Sequence, residues 1–388
     1  MRLRFTTAGE SHGPGLVAVV EGLPAGLELT PEAIDDDLAR RQLGHGRGGR
    51  MKIERDAATV LSGIRHGRTL GSPVALSMPN RDYANWEERM NPWPVEADVP
   101  EVHLPRPGHA DLTGTQKYGH SDVRNVLERA SARETTARVA AGALARALLR
   151  ALDVEVRSHT TRIGSVATPP RETPPAVADF AAVDESPVRC LDDAVSRAMV
   201  KEIDAARKAN ESLGGIFEVL VFGAVPGLGS YASWDARIEG RLAQAINSIQ
   251  AIKGVGFGDG FALAERVGSL AHDEMFPADN DFGYERATNR AGGIEGGMTN
   301  GETVVIKAAM KPLPTLTKPL KSVDIATGEP TEALRERTDS CTVPAAGVVG
   351  EAMVALVMAD AYLEKFGGDH IDDLRAAVAH YHERLTRK

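Results

Sequence analysis

The sequence is poor in several features that would have settled its class at once. Only two of its 388 residues are cysteines, Cys190 and Cys341. They lie too far apart for a CxxC pair, which argues against a disulfide framework and a thiolate zinc site and favours a reducing compartment, the cytoplasm. Basic charge is not in excess: 45 lysines and arginines stand against 54 acids, for a net charge of −9. Such a chain as a whole repels nucleic acid and anionic membranes, so any bound anion has to meet a local cluster. No apolar run is both long and clean. "LVAVVEGLPAGL" is broken by Glu21, and residues 348–363 carry Glu351 and Asp360, which fits a buried helix better than a membrane span. No targeting signal is read. HExxH, an EF-hand loop and a Walker motif are missing, so metal-assisted hydrolysis lacks support and no metal site is expected. The "HYH" at 380–382 lies near a tail and reads as surface.

What is present is an ordinary globular balance, 42% hydrophobic and 26% charged, enough for a substantial core. A strand is expected over 16–20, then a helix over about 31–43: Thr30 suits the N-cap, Pro31 the first helical position, Glu32 and the acids at 35–37 the positive end, and Gly44 the stop. Strand-like segments follow near 52–61 and 73–77. From Asp122 onward Val126, Ala130, Ala137, Ala141, Leu144 and Leu148 recur at helical spacing without a proline, predicting one long, partly buried helix. Residues 165–187 hold five prolines and read as a surface excursion. The strand "ETVVIKAAM" and helices near 348–366 and 371–385 complete the C-terminal third. A glycine-led strand, a Gly/Pro turn and a capped helix occur twice, with Thr30 and Asp235 as caps; duplication and chance recurrence of a common unit both account for this. Glycine and proline islands break the chain too often for a Rossmann or TIM progression, and "GVGFGDG" at 254–260 follows an expected helix and opens none, so it is no dinucleotide fingerprint. The chain reads as a single α+β domain over 1–388.

Five clusters concentrate the chemistry. "TTAGESHGPG" sets Glu10, Ser11 and His12 between glycines. Arg40, Arg41, Arg47 and Arg50 fall within eleven residues beside His45 and four glycines; this is either a solvated basic loop or a grip on a small, multiply charged anion, since guanidinium groups hold carboxylate and phosphate bidentately. In "HLPRPGHADLTG" a Pro-Gly turn separates Arg106 from His109, and Asp111 is placed to orient the imidazole. "ERASARETTAR" puts Glu128, Arg129, Ser131, Arg133, Glu134 and Arg138 in or near one helix, either as surface ion pairs or as an anion-facing side. In "RTDSCTVPAAG", Arg337, Asp339 and Ser340 form either a capping turn or a proton acceptor beside a cation. Cys341 has no nucleophile motif around it.

Taken together and in order, "AGESHGPGL", "RRQLGHGRGGRM", "RPGHADL" with "ERASARETTARVAAGA", and "RTDSCTVPAAGVVGEA" resemble the chorismate synthase family over about residues 1–366. The resemblance implies loss of phosphate from 5-enolpyruvylshikimate 3-phosphate by 1,4-anti elimination, with reduced FMN (FMNH2) and no net redox change. It also implies a homotetramer whose subunits sandwich helices between two antiparallel sheets. By position, Arg41, Arg47, Arg50, Arg106, Arg133 and Arg337 would face substrate or cofactor anions. His12 would stand near the leaving phosphate, His109 near the flavin, and Asp339 near the departing proton, with Ser11 and Ser131 completing the relay. Flavin contacts carry over to Arg129, Ala130, Ser131, Gln250, Ala251, Gly296, Lys311, Pro312, Leu313, Pro314, Thr315 and Arg337; "RAS" stands where many members have "RSS", so Ala130 offers backbone only. NADPH contacts would fall on Arg41 and Arg47, and the lack of an inserted reductase region implies a flavin reduced externally, by a separate reductase. A flavin oxidoreductase with true hydride turnover and an RNA-associated module using the basic loop are the competing readings; steady NADPH consumption would favour the first, and salt-dependent RNA binding the second.

Overall fold

The computed structural model describes residues 3–47, 56–280, 282–336 and 338–386. Arg50 and Arg337, both expected to meet anions, lie outside the described residues. Strands β1 (Arg4–Ala8), β2 (Gly15–Glu21), β3 (Thr59–Ser62) and β4 (Val74–Pro79) form an antiparallel sheet in the order β1-β2-β4-β3. Leu16, Ala18 and Val20 on β2 and Val74, Leu76 and Met78 on β4 are buried, the period-two pattern of a sheet with one face on a core. A second antiparallel sheet comprises β5 (Glu155–Ile163), β6 (Val166–Ala167), β7 (Gly215–Phe222), β8 (Ile252–Phe257) and β9 (Val304–Met310), ordered β8-β9-β7-β5-β6. "GVGFGDG" thus ends strand β8, and only a 3-10 turn over Gly260–Glu265 follows it.

The helices are α1 (Pro31–Gln42), α2 (Asp111–Tyr118), α3 (Arg124–Ala130), α4 (Thr135–Arg150), α5 (Phe180–Glu185), α6 (Asp193–Lys208), α7 (Ile238–Asn247), α8 (Val343–Phe366) and α9 (Ile371–Thr386), with a four-residue turn of helix at Gly268–Ala271. Helix α4 packs against β1, β2 and β4, α8 packs against β5 and β7, and α4 and α8 pack on each other. Both are rich in Ala, with Leu added in α4 and Val in α8, and are buried on nearly every side, as a helix between two layers must be. Helix α8 is long and apolar enough to cross a bilayer, but it lies inside the molecule. Small residues let the layers close up: a Cβ added at Gly142 on α4 would sit 2.3 Å from the Cβ of Ala352 on α8. Gly142→Val is therefore expected to cost about 1–3 kcal/mol or more, read as a lowered urea midpoint; an unchanged midpoint would show the contact to be slack.

Three expectations need correction. The helix expected from Asp122 breaks at Ser131, whose backbone is extended (φ −64°, ψ 144°) and whose hydroxyl accepts from the Arg133 amide; a serine bonding its local backbone ends one helix and caps the next. The 165–187 excursion is not wholly on the surface, because Phe180 and Val183 on α5 are buried, Phe180 lying edge-on to His159 and Phe222. Asp235 does not cap α7: a 3-10 turn at Trp234–Ala236 intervenes, and the helix opens after Arg237. The two strand–turn–helix units do form, as β2 with α1 and β7 with α7, one strand in each sheet.

One charged knot ties these layers. Glu351 on α8, fully buried, accepts two hydrogen bonds from Arg40 on α1 at 2.7 and 2.8 Å, one from Arg189 at 3.1 Å and one from Ser158 at 2.7 Å, with Arg146 on α4 at 3.3 Å. Asp37 pairs with Arg146, and Asp184 with Arg189.

Candidate active site

The loop between β1 and β2 carries the first cluster. Gly9 has φ 107°, and a Cβ there would meet the Gly15 carbonyl at 2.3 Å, so only glycine lets the chain fold back this tightly. Asn80, at the end of β4, clamps the loop by donating to the Glu10 and Gly13 carbonyls at 3.0 and 2.8 Å. The Ser11 amide donates to the Glu128 carbonyl at 3.1 Å and the His12 amide to a Glu128 carboxylate oxygen at 2.9 Å. His12 Nδ1 lies 2.9 and 3.0 Å from the two Glu128 oxygens, and the Trp86 ring stacks on the imidazole at 3.9 Å.

The Pro-Gly turn presents the second imidazole. His109 Nδ1 is 2.5 Å from Asp111 Oδ1, the contact expected from their spacing, and Asp111 is fully buried at the start of α2. Arg106 donates to Asp111 through both its amide and Nε at 2.9 Å, and reaches Thr315 at 3.0 Å and Glu336 at 3.1 Å. Burial would raise the Asp111 carboxyl, but His109 and Arg106 outweigh it and hold it well below the usual carboxylate range.

Across from these, Arg133 donates to Asn80 at 3.0 Å and to Asp56 at 2.5 Å, and Arg41 to Thr135 at 2.9 Å and the Ala132 carbonyl at 3.0 Å. Burial pushes the Arg41 guanidinium down, with Asp56 opposing and Arg47 and Arg133 adding to the push: cations are crowded here. Arg47 lies 3.5 Å from Asp339. Ser131 Oγ donates to Ser11 Oγ at 3.2 Å. Ala251 sits in the left-handed region at φ 67° and accepts from the Lys311 amide at 2.9 Å, while Lys311 Nζ reaches the Gly108 carbonyl at 2.5 Å. A non-glycine residue in that conformation is a local strain of the kind found at binding sites.

The two imidazoles and the side chains of Arg41, Arg47, Arg106 and Arg133 meet at one cavity of about 630 Å³, lined by Ser11, His12, Arg41, Arg47, Arg106, His109, Ala130, Ser131, Arg133, Gln250, Ala251, Lys311, Leu313, Pro314, Thr315 and Asp339 among the expected residues. Among the described residues, three expected ones do not line it. Arg129 turns to the Thr7 and Gly9 carbonyls, because the break at Ser131 separates its direction from that of Arg133. Pro312 is exposed between two lining neighbours, and Gly296 lies exposed between the short strands Ile294–Glu295 and Met298–Thr299. Glu134 and Arg138 do pair, at 2.8 Å, but in the half-buried interior with Gln250 and Thr7 on the same carboxylate. Trp86 and Asp56 carry no sequence signal that would have marked them. Burial raises the Cys341 thiol to about 11, which leaves it inert at neutral pH.

The lining also supplies Leu127, Ile249, Met310 and Val349 as an apolar wall, with five basic side chains (Arg41, Arg47, Arg106, Arg133 and Lys311) against the acidic Glu336 and Asp339. A mixed α+β fold enclosing such a cavity, with two carboxylate-held imidazoles, defines an enzyme built to hold a multiply anionic small molecule beside an apolar surface. The family model for chorismate synthase matches residues 3–363. A chorismate synthase from Rubrobacter xylanophilus is 59% identical over 99% of this chain and 98% of its own, and one from Salinispora tropica is 54% identical over 99% of both. A solved structure described as the crystal structure of chorismate synthase superposes with a TM-score of 0.81 at 40% identity, covering 100% of this chain and 99% of that one. The chain belongs to the chorismate synthase family.

Proposed function

We propose that the chain converts 5-enolpyruvylshikimate 3-phosphate to chorismate and phosphate by 1,4-anti elimination, with reduced FMN held in the same cavity. The observation that carries this reading is the meeting of His12, His109, Asp339, Ser11 and Ser131 with five cations in a single 630 Å³ space. The substrate carries a phosphate and two carboxylates, and reduced flavin is itself anionic, so both need guanidinium partners in a site of low dielectric. The lining fits the flavin: an apolar wall suits a flat ring, and Lys311, the segment through Thr315, and the strained Ala251 stand beside it. Ala130, Ser131, Gln250, Ala251 and the segment from Lys311 to Thr315 would hold it. When bound, reduced flavin lends electron density to the breaking carbon–oxygen bond.

The protein's own part is positional and protonic. Arg41, Arg47, Arg106 and Arg133 hold the anionic groups. His12 protonates the leaving phosphate as a general acid. His109, its Nδ1 fixed by Asp111, stabilises the charge of the reduced cofactor, and Asp339 takes up the proton lost from the ring. The hydroxyls of Ser11 and Ser131 connect these positions. The chain acts as one unit in a homotetramer in the cytoplasm; exposed Tyr231, Trp234 and Phe261 supply apolar surface for subunit contacts. A separate flavin reductase supplies reducing equivalents, although Arg41 and Arg47, the positions implied for NADPH, line the same cavity.

An anaerobic assay decides the reaction. With dithionite-reduced FMN, phosphate release is expected to match ester consumed while the flavin stays reduced; NADPH with oxidised FMN should give little product. Flavin oxidation in proportion to product would instead identify a true oxidoreductase.

A further inference from the structure

We infer that Glu128 is a positioning residue for His12: together with Arg124 and Trp86 it closes a ring of contacts that fixes the plane and tautomer of the imidazole at the cavity wall. The inference rests on the proposed acid role of His12. Glu128, on α3, is 2% exposed and grips His12 at both the backbone amide and Nδ1. Arg124, one turn earlier on α3, donates to the same carboxylate at 2.9 Å, and its guanidinium carbon lies 5.1 Å from the Trp86 ring centroid. Trp86 stacks on His12 with 24° between the planes. Each of the four residues touches the next, and the circuit closes on the imidazole.

A carboxylate that accepts from Nδ1–H leaves Nε2 as the proton-carrying nitrogen on the other side of the ring, the division of labour by which a buried acid orients a catalytic histidine. In the proposed step the Nε2 proton passes to the phosphate oxygen as the carbon–oxygen bond breaks. The electron pair leaves with phosphate, and His12 remains as the neutral Nδ1–H tautomer. Glu128 stays ionised throughout. Burial would raise its carboxyl, but the hydrogen bond and charge of His12, with Arg124, outweigh that and hold it below the ordinary range. Among the described residues, the charged groups around His12 include Glu128 and Arg124 from α3, Arg89, whose guanidinium carbon lies 5.6 Å from the Trp86 ring centroid, and Glu10 from its own loop. Ser11 and Ser131 add only hydroxyls.

Glu128→Gln keeps the shape and removes the charge. It is expected to lower kcat about 10²-fold with KM for the ester within about twofold. It should also move the basic limb of the kcat–pH profile to lower pH, since the carboxylate no longer favours the protonated ring. Glu128→Asp should restore the position of that limb while kcat stays reduced. Nitrogen-15 spectra should show the His12 Nδ1–H form in the wild type and a tautomer mixture in Glu128→Gln. Trp86→Leu, which leaves the carboxylate in place, should lower kcat severalfold without moving the limb, and serves if Glu128→Gln fails to fold. A Glu128→Gln enzyme with unchanged kcat, profile and tautomer, beside a slow His12→Ala enzyme, would overturn the role of Glu128 alone. Wild-type turnover in His12→Ala would overturn the acid role of His12 itself.

Discussion

Replacing His12 or His109 with alanine is expected to lower turnover by roughly 10²-fold or more when reduced FMN is supplied, the usual worth of a positioned acid or base. Both imidazoles sit at the cavity wall with Nδ1 committed to a buried carboxylate, Glu128 or Asp111. Neither is a surface histidine whose removal the solvent would make good. The two should fail differently. His12→Ala removes the proton donor proposed for the leaving group, so kcat should fall and added imidazole should recover part of it. His109→Ala should weaken the hold on the reduced cofactor as well, so more FMN would be needed for half-maximal rate. Near-normal rates in both enzymes with reduced FMN present would refute the assigned roles.

The second large effect is structural. Glu351→Ala leaves Arg40, Arg146 and Arg189 around a vacated anion in the centre of the fold, and breaking a buried ion network from one side costs about 3–5 kcal/mol. Urea unfolding should show the loss, and a midpoint equal to wild type would mean the network contributes nothing net. The same residue gives a pH signature. Burial would raise the Glu351 carboxyl, but Arg40, Arg146 and Arg189 outweigh it and hold it well below its ordinary 4.5. A depressed folded value gives stability that is present in full above the unfolded value and is lost as pH falls through the folded one. Wild-type stability should therefore be flat near neutrality and fall in acid below about pH 4.5, and Glu351→Ala should remove part of that acid dependence.

The legible parts of the fold were those whose cause is local. The helix after Thr30 and Pro31 forms over Pro31–Gln42, the strand "ETVVIKAAM" over Val304–Met310, and the apolar C-terminal helix over Val343–Phe366. The break at Ser131 was hidden because neither proline nor glycine marks it; a serine hydroxyl and the tertiary demand of the Arg133 site produce it. The same contrast holds in the site. Asp111 is two residues from His109, and their contact could be read from the turn between them. Glu128 is 116 residues from His12, and Asp56 is 77 residues before Arg133. Those partnerships exist only because the β1–β2 loop, α3 and the segment before β3 converge on one cavity. Arg129 and Arg133 were both expected in or near one helix, yet one binds loop carbonyls and the other faces the cavity.

The central claim is that one cavity holds reduced flavin and the phosphate ester together. The most direct measurement is a structure of the protein crystallised with FMN and 5-enolpyruvylshikimate 3-phosphate. Both ligands should appear inside the space lined by His12, His109, Arg47, Arg133 and Asp339, with the ester's phosphate beside His12. Either ligand bound elsewhere, with that space filled only by solvent, would contradict it.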